Sequence, residues 1–345
     1  MNPGALIPVP DPIPVAWAWF EGLNILTFAL HMLMVNVLVG GGILALYLKA
    51  RRDPVVESFS GKLPTAFALT VNFGVAPLLF LQVLYGQFFY TSSILAAVWW
   101  LGVVALLIAA YYLLYIFQHG ARTGGGGGPL FLAVALILCI GLIMSSVVSL
   151  MVRPGSWGSG VGGSSGTFFN LSDPTFAPRY LHFLFASMAV GGLALALYGR
   201  FTARHTSAEL QALGMKIFFV FTAVQMVVGL WWLAALDRPV LLRFLGNSPL
   251  ATVTLLAAVG CAVGALLAGA MRKPMQAAAW TVLTVLTMAG VRALVRAADL
   301  APWFSPSTLA VTGESSPMVL FLVSLAIGLA AVAYMVKLAF SGKEG

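Results

Sequence analysis

Of the four histidines in this chain, two sit in the middle of apolar runs, and these are the residues best able to hold a cofactor. His31 lies in Ala-Leu-His-Met-Leu-Met-Val-Asn-Val-Leu-Val-Gly-Gly-Gly (29–42), and His182 in Pro-Arg-Tyr-Leu-His-Phe-Leu-Phe-Ala-Ser-Met (178–188). An ionisable side chain at membrane depth is costly and marks a site. An imidazole with one nitrogen unprotonated can ligate iron, and two histidines on different helices of a bundle are the raw material of haem ligation. The plain alternative is a ring satisfied by a carbonyl or hydroxyl of a neighbouring helix. His119 and His205 stand beside Arg122 and Arg204 in polar connections, where a solvated histidine is expected.

Other polar groups surround the apolar runs. Arg179 is one helical turn before His182, and Arg292 and Arg296 are one turn apart. Guanidinium groups pair bidentately with carboxylates, the propionates of a haem among them, or simply snorkel to an interface. Met32, Met34, Met188, Met226 and Met288 offer thioethers, a side chain that is mostly a packing residue. Gln82 and Gln87 follow Asn72 and Pro77 in the second apolar run. Such amides near a proline kink either line a quinone or haem pocket or tie helices together. Carboxylates are scarce in the runs: Glu21 is near the mouth of the first, while Asp237 and Asp299 are expected at the outer surface. An acidic proton path is therefore missing. Cys139 and Cys261 fall inside apolar runs and support neither a disulfide nor a thiolate metal site.

The elements that must position these residues are read from composition. The 345 residues are 61% hydrophobic and 8% charged, with mean hydropathy +0.99. That is an integral membrane protein, and runs of about 20 apolar residues without strand-like alternation make it all-α. A single transmembrane domain of nine spans is expected, roughly 17–48, 65–90, 93–117, 129–151, 179–200, 214–236, 249–270, 275–297 and 316–339. Distributing Lys and Arg over the connections puts twelve on one side and six on the other. The richer side is the inner one, so the N-terminus is expected outside and the C-terminus inside. His31 is then 18 residues above Lys49, about 27 Å of helix, in the same outer half as His182. The net charge of +8 is spread over many loops and forms no nucleic-acid patch. Residues 1–15 carry five prolines and no basic residue, unlike a cleaved signal peptide. The outer connection 152–178 is rich in Gly and Ser and is expected to be flexible or ordered by a partner; Gly124–Gly128 reads as a hinge. No repeat of 20–50 residues is expected.

The order of these features resembles subunit I of the cytochrome bd quinol oxidases. That family has nine spans, an outside N-terminus, a histidine in the first span, and another near the outer end of the fifth. Phe73–Ser93 is similar to its second span and following turn, and Leu294–Pro302 to the segment after its eighth. Gln225–Pro239, with Gly229 and Arg238-Pro239, resembles the start of its quinol-binding loop. The resemblance implies that His31 and His182 are haem ligands and that Gln82, Gln87, Asp237 and Arg238 are candidates for a quinone site. Departures are equally specific. The third and eighth spans lack the family's glutamates, no Arg-x-x-Met opens the seventh, and the quinol loop is cut to about Asp237–Ser248. Oxygen reduction is accordingly not expected.

The resulting expectation is a haem b membrane subunit of a respiratory complex in a bacterial inner membrane. It would bind one or two haems through His31 and His182, with Arg179, Arg292 and Arg296 toward the propionates. Electrons would pass between the quinone pool and another subunit, a periplasmic c-type cytochrome for example. The rival expectation is a haem-free structural or quinol-binding anchor subunit.

Overall fold

The computed structural model of the chain describes residues 3–122, 126–161, 165–201 and 207–341. Arg204, His205 and Lys343 lie outside the described residues, as do 123–125 of the glycine run, 162–164 of the long connection, and the side chains of Arg122 and Lys337. Among the described residues there is no β-strand, only an isolated bridge between Ile13 and Val311. The long helices are α1 (Trp17–Ala50), α2 (Leu63–Leu95), α3 (Ala97–Arg122), α4 (Gly128–Val152), α5 (Phe176–Phe201), α6 (Ser207–Ala234), α7 (Pro249–Ala270), α8 (Pro274–Leu300) and α9 (Ser316–Ser341). The first eight are long and apolar enough to cross a membrane, and α9 opens with the apolar stretch Ser316–Gly328. The chain is an all-α, multi-pass membrane protein whose outward leucines, valines and aromatics face lipid.

Helix is what hydrocarbon demands, because every backbone N–H and C=O must be satisfied within its own segment. Hydroxyls comply too: Thr70, Thr222 and Thr281 each donate to the carbonyl four residues back. Pro129, Pro249 and Pro274 stand in first turns, where their missing N–H costs nothing. Pro77 lies inside α2, and a further irregularity follows it. Helical dihedrals in α2 break at Tyr85 (φ −134°, ψ 28°), whose ring lies under the Arg296 guanidinium at 4.7 Å and edge-on to Phe304 at 6.1 Å.

The molecule also contains a repeat, of longer period than those looked for in the sequence. Residues 30–49 and 181–200 align without a gap, 151 residues apart, with ten of twenty positions identical: Leu30/Leu181, His31/His182, Leu33/Leu184, Val39/Val190, Gly40/Gly191, Gly41/Gly192 and the Leu-Ala-Leu-Tyr runs 44–47 and 195–198. The packing repeats with them. The main pairs of the first half, α1 with α2 and α3 with α4, recur as α5 with α6 and α7 with α8. The halves meet where α1 crosses α5. There Ser187 Oγ donates to Asn36 Oδ1 at 2.9 Å, and a Cβ on Gly40 would lie 1.8 Å from the Ser187 carbonyl oxygen. Contact between equivalent residues is the mark of a twofold interface.

Three ion pairs tie the halves at the end that bears the histidines, one of them between Arg153 and Asp237. Glu21 of α1 meets Arg296 of α8 at 2.5 Å, and Asp173, just before α5, lies 4.0 Å from Arg153 at the end of α4. The connection 152–178, expected to be flexible, is packed along its described parts. Trp157 is fully buried and donates its indole N–H to the Leu150 carbonyl at 2.8 Å, while Asn170 and Asp173 bond to Ser146 and Ser149 of α4.

Candidate functional site

His31 and His182 occupy equivalent places in the two halves, and their surroundings match. His31 Nδ1 is 3.0 Å from the Thr70 carbonyl on α2, and His182 Nδ1 is 3.1 Å from the Gln225 carbonyl on α6. Four residues beyond each carbonyl stands a glycine against which the ring lies. A Cβ on Gly74 would come within 2.9 Å of His31 Cε1, and one on Gly229 within 3.1 Å of His182 Cε1. In both places the carbonyl takes the Nδ1 proton, which fixes the tautomer and leaves Nε2 as the basic nitrogen. A ligating histidine is held in the same way. The two rings differ at Nε2. That of His31 has no hydrogen-bond partner among the described residues, whereas Gln225 Nε2 approaches that of His182 at 3.4 Å, with Trp232 tilted alongside at 6.2 Å.

At this level the side chains of both helices are only partly buried. From His31 to Val35 and from Leu181 to Ala186 no side chain is fully buried on any face, although α1 and α5 are both flanked by several helices. Below Asn36 and Ser187 buried positions predominate again. No three His, Cys, Asp or Glu side chains converge among the described residues, as a bare metal ion would require. Haem asks for less from the protein, one or two axial ligands with room beside them. The donor chemistry fits the first of these: an imidazole presents Nε2 in each half, that of His182 facing Gln225 Nε2.

The arginines separate into two kinds. Arg296 is buried, bonded to Glu21, with Nε and Nη1 unpartnered; Arg179 lies 3.7 Å from Asp173, with Nε buried and unpartnered. Arg292 has neither hydrogen bond nor ion pair among the described residues. Its guanidinium sits over the Phe28 ring at 4.1 Å and within electrostatic range of His31. Of the three, Arg292 is the cation with charge to spare for an anionic group beside His31. Asp299, expected at the outer surface, is half-buried, with Oδ1 shielded and unpartnered. Together with Glu21 Oε2 and Gln87 Nε2, it belongs to a set of orphaned polar atoms at this end of the bundle.

The quinone-site candidates do not form one group. Gln87 is buried and Gln82 half-buried on α2, while Asp237 is exposed and bonded to Arg153. Arg238 lines a separate open cleft of about 670 Å³ with Pro239, Leu242, Arg243, Asn247 and Ser248. No hydrogen bond joins the two amides to Asp237 or Arg238 among the described residues. Sequence reasoning passed over Thr70 and Gly74, placed Glu21 at the mouth of the first run without its Arg296 partner, and used Gln225 and Gly229 only as markers. The signal available was the shared four-residue step from carbonyl to glycine.

Asp173 lies outside the spanning helices and is held as an anion. Burial pushes its carboxyl up, but hydrogen bonds from Ser149 and Thr175 and the Arg179 charge outweigh this and leave it below the usual carboxylate range. No protein-family model, curated protein or solved structure matches the chain.

Proposed function

We propose that this protein is a haem b-binding membrane subunit of a respiratory electron-transfer complex, a diverged relative of subunit I of the cytochrome bd quinol oxidases. The observation that carries the proposal is the paired His–carbonyl–glycine arrangement, in which each Nδ1 is engaged and each Nε2 is left basic. His31 and His182 turn toward different helices, α2 and α6, which favours separate haems over one shared between them. Bound there, haem would supply one-electron transfer. The chain's own part is to orient the imidazoles and set Arg292 beside an anionic edge. Quinol would approach the bend of α2 near Gln82 and Gln87, and a periplasmic redox subunit, a c-type cytochrome for example, would exchange the electrons. Nine spans in a bacterial inner membrane, with the N-terminus outside, complete the reading; they rest on the Lys and Arg distribution of the connections.

The test is the absorption spectrum of the purified protein, oxidised and then dithionite-reduced, with haem extracted and counted. Two b-type haems per chain are expected, with His31→Ala and His182→Ala each removing one. A sample without a Soret band would reject the proposal. The same His–carbonyl bonds satisfy both rings without a cofactor, and that observation favours the second reading, a haem-free structural or quinol-binding anchor. Quinol-dependent electron transfer, or complex assembly, with no extractable haem would select it.

A further inference from the structure

The open cleft between α6 and α7 has a chemistry that none of the preceding uses. The connection from Ala235 to Ser248 joins two spanning helices, so it lies where the bilayer's headgroups are. Its middle forms a short helix, Arg238–Leu242, followed by a wide turn in which Gly246 takes φ 122°. That turn lets Arg238, Arg243 and Asn247 line one cleft of about 670 Å³. Neither arginine has an ion pair or side-chain hydrogen bond among the described residues, and no carboxylate lines the cleft. The nearest in sequence, Asp237, is committed to Arg153. Two cations facing one hollow without a counter-ion repel each other, and an anion between them removes that cost.

The apolar surroundings say which anion. Leu245 is 61% exposed, and from the cleft a stripe runs down α7 through Leu250, Val253 and Leu256, each about two-thirds exposed and spaced three apart on one face. A phosphate in the cleft would carry its acyl chains directly onto this stripe. We infer that the cleft between α6 and α7 is a binding site for the phosphate headgroup of an anionic phospholipid, gripped by Arg238, Arg243 and Asn247 with the acyl chains laid along α7. A quinone, being neutral, would gain nothing from two uncompensated guanidinium groups. The inference is independent of whether haem is bound.

Native mass spectrometry of the full chain in a neutral detergent, titrated with phosphatidylglycerol or phosphatidylcholine, tests it. One phosphatidylglycerol per chain should be retained, preferred over phosphatidylcholine by about thirtyfold from the attraction of two cations at a membrane surface. Arg238→Gln/Arg243→Gln should abolish the preference. The side chains are exposed, so the variant should fold; its helical circular dichroism and unfolding midpoint in lipid-free detergent serve as the check. Leu245→Gln, which leaves both cations, should weaken retention of either lipid but keep the preference. Equal retention of the two lipids, or a preference that survives the double substitution, overturns the inference. So does displacement of the lipid by millimolar inorganic phosphate, which would make the free ion the ligand.

Discussion

At the scale of single residues the two histidines are governed by what lies under them. Glycine at 74 and 229 is required by the rings themselves, because any Cβ would meet an imidazole rather than a flexible chain end. Gly74→Ala should push the His31 ring off the Thr70 carbonyl and cost about 1–3 kcal/mol, as overpacking does. Gly229→Ala, where the approach is looser, should cost less. Gly102→Ala on α3 meets nothing within 4 Å and should stabilise by up to about 1 kcal/mol through helix propensity. Unfolding midpoints in one detergent rank the three, and the opposite sign at Gly102 separates ring displacement from a general effect of alanine. Asp173 gives a pH prediction. Its folded carboxyl titrates below its unfolded value of 3.8, so the stability it confers is complete above about pH 5 and drains away as acid protonates the folded form below pH 4. Asp173→Asn should therefore lower the midpoint at pH 7 and flatten its fall between pH 5 and 3.

At the scale of elements the crossing of α1 over α5 is the least forgiving contact. A Cβ on Gly40 or Gly191 would run into backbone, which cannot rotate away, whereas one on Gly42 would meet only Val134 Cγ2 at 2.8 Å. Gly191→Ala should accordingly destabilise by about 3 kcal/mol or prevent accumulation, and Gly42→Ala by about 1 kcal/mol, measured as folded protein recovered and as unfolding midpoint. The connection after α4 behaves as part of the core. Trp157→Ala should cost about 3–5 kcal/mol, the range for a buried aromatic, where a loose linker would show no effect.

At the scale of the whole molecule, the proposed orientation puts Asp237 and Lys49 on opposite sides of the membrane. With Cys139 and Cys261 replaced by alanine, a cysteine at 237 in intact cells should react with an impermeant maleimide, and one at 49 should react only after lysis. How much of this was legible beforehand differs by feature. The first eight spans were, because an apolar run of membrane length has one solution in lipid, and eight of the long helices are long and apolar enough to cross it. The two histidines and three arginines stood out because ionisable groups are rare there. Their facing directions did not, since composition cannot say that His31 turns to α2 while Arg296 turns to Glu21. The irregular dihedrals at Tyr85 were missed because the ring's partner, Arg296, is on another helix, and the packed connection because Gly and Ser masked its one anchoring tryptophan. The repeat escaped because its period is half the chain, although Leu-His, Val-Gly-Gly and Leu-Ala-Leu-Tyr recur in order.

The glycine crossing has a mechanical consequence. Gly40 and Gly191 touch nine residues below His31 and His182, so the two helices act as levers about 13 Å long on a common fulcrum. A 10° change in the opening of one arm would move its imidazole by about 2 Å, several times what a ligand bond tolerates. The ties at the far end, Glu21 to Arg296 and Asp173 to Arg153, clamp the blades of these scissors, and the spacing of the two rings is only as constant as that clamp.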